Sequence, residues 1–268
     1  KLEQWEQKLF FTCGGAESPD ELSGGGLYKC DIKGTNISVN KIHNGACYGM
    51  IKANDRFIFI DTNKGVFEYE NNRTHKISEL PSGARAHGIS YSAKRNAYYI
   101  ACTNLDAILE FNHDFSQTRK FDLSSKFNKS GKTAHHCNDV HIIDDSCYAT
   151  MFSSTGNWKN DCFDGCIAEI DLETGKRSDD LIKNLYMPHN VSYFEGSIHV
   201  LDSLPGHLRF NNLSVQGTFP AFTRGLSYDQ GYYFIGQSKN RNHSKVMGVS
   251  NNISIDCGII IFNCDLIL

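Results

Sequence analysis

Proline is scarce in this chain, with five residues among 268. With 23 glycines and 12% aromatics beside it, that scarcity suits many short strands joined by turns. No window approaches 18 consecutive apolar residues, so a membrane-spanning helix is excluded from the reading. Neither sign of charge is in excess. Lys and Arg number 27 against 30 Asp and Glu, a net of −3. Without a basic surplus, nucleic acid is not an expected partner. The chain also lacks a glycine-rich phosphate loop and a Gly-x-Ser-x-Gly nucleophile elbow. Its one notable glycine run, Ser23-Gly24-Gly25-Gly26, leads into a strand pattern and not into a helix. No amphipathic helical pattern runs beyond about three turns.

The first residues, KLEQWEQKLFFTCGG, do not follow the charged-then-apolar order of a secretion signal. The expectation is a cytoplasmic protein whose ten cysteines are reduced thiols. Cys13, Cys102, Cys147 and Cys264 lie within apolar strand patterns, where a thiol acts as a small hydrophobe.

What is present is a repeat. Short apolar runs alternate with Gly, Asn, Asp and Ser turns along the whole chain. One strand type occurs six times: KLFFTCGG, RFIFIDTN, AYYIACTN, CYATMFSS, SIHVLDS and YYFIGQS. Each is followed by a second type: GLYKCDI, GVFEYEN, AILEFNH, CIAEIDL, HLRFNN and CGIIIFNC. A short polar strand then follows in five units: NISVNKI, THKISEL, TRKFDL, KRSDDLI and SVQGTF. A strand with a polar start precedes five of the six units, and the first unit lacks it. Antiparallel four-stranded units repeated in this way are blades of an all-β propeller. Six blades fit the count, with five as the fallback, in a single domain over residues 1–268. Three inserts, after KLFFTC, CYATMF and YYFIGQS, fall at the same step of the repeat. They should gather on one rim.

Aligning the polar starts gives two columns. One reads Tyr48, His87, Asn138, His189, Arg224, and the next reads Gly49, Gly88, Asp139, Asn190, Gly225. Equivalent positions of successive blades point the same way about the central axis, so these side chains should converge on the channel. His141 and the pair His135-His136 lie in or beside the set. His87, His189 and His141 are candidates for acid–base work near neutral pH. Arg224 can grip a carboxylate or phosphate, with Asn138, Tyr48, His136 and Lys239 as further substrate contacts. Asp139, Asn190 and His189 offer donors for a divalent metal such as Ca, Mn or Zn.

CNDVHI at Cys137, MPHNVSY at Met187, FTRGLSY at Phe222, GQSK at Gly236 and CGIIIFNCD at Cys257 resemble, in order, a family of bacterial propeller proteins classed as a domain of unknown function. More distantly, NDVHIIDDSCYATMFS and PHNVSY resemble segments of gluconolactonase and regucalcin-type six-bladed propellers. That resemblance implies that Asn190 is a metal ligand and Asn138 a substrate contact. Where that group carries a metal-binding Asp, this chain has Arg224-Gly225. A cation in place of a carboxylate turns the expectation toward an anionic ligand.

The function expected is an enzyme acting on a small anionic or sugar-like metabolite. Metal- or His-assisted chemistry would drive hydrolysis, lactone opening, elimination or epimerisation. The alternative is a propeller that binds a carbohydrate or a protein partner without catalysis.

Overall fold

The computed structural model describes residues 5–160, 162–210, 214–238 and 257–263. Its strands form six antiparallel sheets, the blades of a six-bladed β-propeller. The first blade is β1 (Glu6–Cys13), β2 (Gly26–Lys33) and β3 (Asn36–Asn44). The second is β4 (Cys47–Ala53), β5 (Arg56–Asp61), β6 (Gly65–Glu70) and β7 (Arg73–Ser78). The third is β8 (Ala86–Ser92), β9 (Ala97–Cys102), β10 (Ala107–Asn112) and β11 (Gln117–Asp122). The fourth is β12 (Cys137–Ile143), β13 (Ser146–Met151), β14 (Gly165–Asp171) and β15 (Ile182–Leu185). The fifth is β16 (His189–Phe194), β17 (Ser197–Asp202), β18 (His207–Phe210) and β19 (Val215–Thr218). The last is β20 (Phe222–Asp229), β21 (Tyr232–Ser238) and β22 (Gly258–Phe262). Among the described residues the first and last sheets have three strands, in line with the repeat pattern.

Turn chemistry explains the hairpins. Asn54-Asp55, Asn71-Asn72, Glu195-Gly196 and Gln230-Gly231 each place two successive residues at positive φ. Two-residue turns of this hand match the right-handed strand twist. One expected strand is displaced. KRSDDLI contributes little more than an isolated bridge at Arg177, and pairing begins only at Ile182. The acidic pair Asp179-Asp180 has low strand propensity. A six-residue helix, α1 (Ser125–Ser130), stands between β11 and β12, where no helix was expected. Ser124 caps it by accepting the Lys126 N–H, and Gly131 closes it at φ 63°.

The contacts divide the chain into two units. The first holds residues 1–105 and 109–120, and the second holds 106–108 and 121–268. Within the first, β5 shows how a blade packs. Ile58 and Ile60 join a cluster with Tyr98, Ile100 and Leu109. Phe57 and Phe59, the alternate residues, join another with Leu27 and Phe10. Successive side chains point to opposite faces, and both faces are covered, so the strand is apolar almost throughout. The second unit repeats the arrangement at β17. There Ile198 and Val200 pack with Ile167 and Val191, while Leu201 packs with Tyr233 and Ile235.

Among the described residues no helix is long and apolar enough to cross a membrane. Nine cysteines are described, and all are free thiols.

Candidate active site

Every strand with a polar start carries a register break at that start. The breaks lie between Cys47 and Met50, Ala86 and Ile89, Cys137 and Asp139, His189 and Ser192, and Thr223 and Leu226. They bracket the two polar columns. A bulge frees a residue from the ladder and re-aims its side chain. In this way polar residues can leave an otherwise apolar strand.

In the second unit the bulges of three neighbouring strands are tied by one amide. Asn190 Nδ2 donates to Asp139 Oδ2 at 3.1 Å, and Asn190 Oδ1 accepts the Gly225 N–H at 2.6 Å. Asn190 itself sits at φ 52°, a conformation asparagine tolerates better than most residues. The Asp139 side chain keeps some exposed surface but lies deep in protein. That burial pushes its carboxyl up to about 7, against smaller opposing effects of the Val140 N–H and the Asn190 amide. His141 lies two residues along β12, on the same face as Asp139. Burial lowers its pKa, so it is neutral at pH 7.

Asn138 is buried and committed to the framework. Its Nδ2 donates to the Pro188 carbonyl at 2.9 Å, and its Oδ1 accepts from Thr150 Oγ1 at 2.8 Å. His189 is also buried, with Nδ1 bonded to Ser203 Oγ at 2.9 Å and near the Met187 carbonyl at 3.1 Å. Its ring meets Phe152 and Phe222 edge-on, with centroids 5.2 and 5.3 Å away. His136 stacks on Phe152 at 4.0 Å and meets the Trp158 edge at 4.9 Å. Arg224 is exposed, with its guanidinium 4.8 Å from the Phe222 ring centre.

In the first unit, Tyr48 and His87 stack face to face with centroids 4.2 Å apart. Tyr48 is pressed against Gly14, where an added Cβ would come within 2.4 Å of its ring. Beside Tyr48 opens a cleft of about 560 Å³, walled by Thr62, Asn63, Lys64, Arg85 and Asn104 among others.

With this geometry in view, residues 69–266 match the family described as a domain of unknown function (DUF4915). The chain belongs to that family. No curated protein matches the chain in sequence. Among solved structures, a Bacteroides caccae protein of unknown function is similar with a TM-score of 0.64 and 12% identity. That match covers 97% of this chain and 90% of the other. A gluconolactonase from Xanthomonas campestris has a TM-score of 0.58 at 12% identity, over 96% and 82%. A calcium-binding protein, regucalcin, from Agrobacterium tumefaciens has 0.52 at 12%, over 71% and 67%. At these identities the likeness shows the fold alone.

Does this DUF4915 chain offer the donors a metal would need? At Asp139 it does not. The Asn190 oxygen faces the Gly225 N–H, and its NH₂ faces Asp139. A hard cation takes six or more oxygens, and this arrangement supplies one carboxylate. His189 has Nδ1 committed elsewhere. The expected set of Asp139, Asn190 and His189 therefore does not form a ligand cage. Among the described residues, the group of three metal-ligand types that does come together is His43, Cys47 and Asp61 in the first unit. His43 Nε2 bonds Asp61 Oδ2 at 3.0 Å, and the Asp61 Oδ1 accepts the Asn63 and Lys64 N–H groups. Burial and the Asp61 charge push the Cys47 thiol well up. This is a hydrogen-bonded clamp with a protonated thiol, and a metal would have to break it.

Lys239, a predicted substrate contact, lies outside the described residues, as does the insert over 239–256. Sequence reasoning did not single out Arg85. The available signal was its place two residues before His87 in the repeat.

Proposed function

We propose that this protein is an enzyme that opens a small anionic, sugar-like lactone, with Asp139 as general base and then general acid. The observation that carries the reading is the Asp139 carboxyl, titrating at about 7 and held by Asn190. A carboxyl with that pKa is about half ionised at neutral pH, so it can both take and return a proton. Asp139 takes a proton from water as the water oxygen bonds to the lactone carbonyl carbon. The ring C–O bond then breaks, and the leaving oxygen recovers the proton from Asp139. The product is the open hydroxy acid, and no atom is left over.

Asn190 is a positioning residue in this scheme, because its amide holds the Asp139 carboxyl at Oδ2. Exposed Arg224 supplies the cation that draws an anionic substrate. His141 is a neutral proton acceptor on the same strand face. No metal step enters, in keeping with the donor set. The likeness to a gluconolactonase supports the substrate class at the level of fold, and the free thiols support a reducing, cytoplasmic setting.

The test is turnover of a panel of aldonolactones at pH 7 with chelator present, for wild type and Asp139→Asn. The expected result is turnover above the spontaneous rate, lowered by roughly 10²- to 10⁴-fold in the variant. Equal rates in the two proteins, or none above the blank for either, would overturn the reading.

A further inference from the structure

The residue two positions before the polar column adopts the left-handed conformation in three blades. These residues are Arg85 at φ 49°, His136 at 53° and Met187 at 52°. Glycine or asparagine is the usual occupant of such a place, because a side chain there costs energy. For His136 and Met187 packing offsets the cost. His136 stacks on Phe152, and Met187 lies in the same apolar cluster.

Arg85 has no such compensation. Its backbone is locked, since its carbonyl accepts the Thr103 N–H at 3.1 Å and the neighbouring Ala84 carbonyl accepts from Asn104 at 3.0 Å. Its side chain is exposed and forms no ion pair or hydrogen bond among the described residues. It lines the cleft beside Tyr48. The other charges on that wall are matched. Lys64 holds Glu17 at 2.8 Å, and Glu79 pairs with Lys76. The Thr62 hydroxyl, also on the wall, is buried with no hydrogen-bond partner among the described residues. A buried hydroxyl without a partner is costly, and a turn of the Thr62 side chain toward the cleft would let a ligand oxygen satisfy it.

We propose that this cleft binds a small oxyanion-bearing molecule, a carboxylate or a phosphate, through the Arg85 guanidinium with the Thr62 hydroxyl beside it. The site has one unmatched positive charge, polar walls and a volume suited to a metabolite, not to a macromolecule. It does not depend on Asp139 or on any turnover.

The experiment is calorimetric titration at low salt with three probes in separate arms: gluconate, inorganic phosphate and neutral glucose. Binding of gluconate or of phosphate, with no binding of glucose, is the expected result, and the arm that responds identifies the anion. Arg85→Gln should weaken that binding by about 10- to 100-fold, and Arg85→Lys by less. Arg85→Gly, which suits the left-handed turn, should fold and also lose binding. Asp139→Asn should bind as wild type does, which keeps this proposal separate from the acid–base reading. Two outcomes would overturn it: no binding of either anion up to about 10 mM, or unchanged binding in both Arg85→Gln and Arg85→Gly.

Discussion

Asn190 joins Asp139 through its Nδ2 at 3.1 Å while its Oδ1 holds the Gly225 backbone at 2.6 Å. One side chain at φ 52° therefore fixes the bulges of β12, β16 and β20. Asn190→Ala removes both bonds and places a Cβ-branched-free but non-glycine residue in the left-handed region. The expected loss is roughly 2–4 kcal/mol. Asn190→Gly removes the bonds and keeps the conformation, so it should cost about 1–2 kcal/mol. Urea melts of the two variants measure the difference.

The raised Asp139 pKa has a consequence for stability. Asp139 ordinarily titrates near 3.8, and in the folded protein near 7. Between those values the folded state holds more protons than the unfolded one. Stability from this group is then full below about pH 4 and falls as pH rises through about 7, by up to roughly 4 kcal/mol. Asp139→Asn carries no such charge. It should melt above wild type at pH 8, with the gap shrinking toward pH 4. Thermal melts at pH 5 and pH 8 check this, and an equal gap at both would refute it.

Gly49 lies where β4 crosses close to β8. A Cβ there would stand 2.2 Å from the His87 carbonyl oxygen and 2.9 Å from the Ile89 nitrogen. Both are backbone atoms and cannot swing aside. Gly49→Ala should cost about 2–4 kcal/mol or abolish soluble expression, whereas Gly83→Ala, with nothing within 4 Å, pays only for its φ of 71°. Melting temperatures of the two variants compare them.

Arg85→Gly should raise stability by about 1 kcal/mol, because the left-handed turn is retained without a side-chain penalty. Denaturant melts read this directly. A loss of stability would mean that the Arg85 side chain supports the fold.

The thiols should divide by burial. Burial pushes Cys102 and Cys166 up to about 12, and Cys147 is enclosed as well. Cys162 and Cys257 are exposed. A thiol reagent at pH 8 should label those two in the native protein and reach the buried set only after unfolding, as peptide mass spectrometry would show.

Strand alternation, turn residues and the sixfold recurrence were enough to place nearly every strand, because each blade repeats the same local chemistry. KLFFTC, RFIFID and AYYIAC read as strands for the reason they are strands: apolar side chains on both faces between turn formers. The three-stranded form of the first and last blades, among the described residues, was legible in the same way. The acidic KRSDDLI stretch misled the reading of the fourth blade, because its one strand-forming end lies at Ile182.

The site was legible only as a set of columns. Sequence alone put Tyr48, His87, Asn138, His189 and Arg224 at one step of the repeat, and Asp139 and Asn190 at the next. It could not assign their tasks, because those depend on the hydrogen bonds each side chain finds. Asn138 and His189 turned inward to the framework, whereas Asp139 met an amide in a buried setting. The order of the strands follows from local pattern and turn propensity, which the chain carries residue by residue. The bulges, the elevated carboxyl and the unmatched Arg85 arise from packing between strands far apart in sequence, where burial and partner geometry, not residue type, set the chemistry.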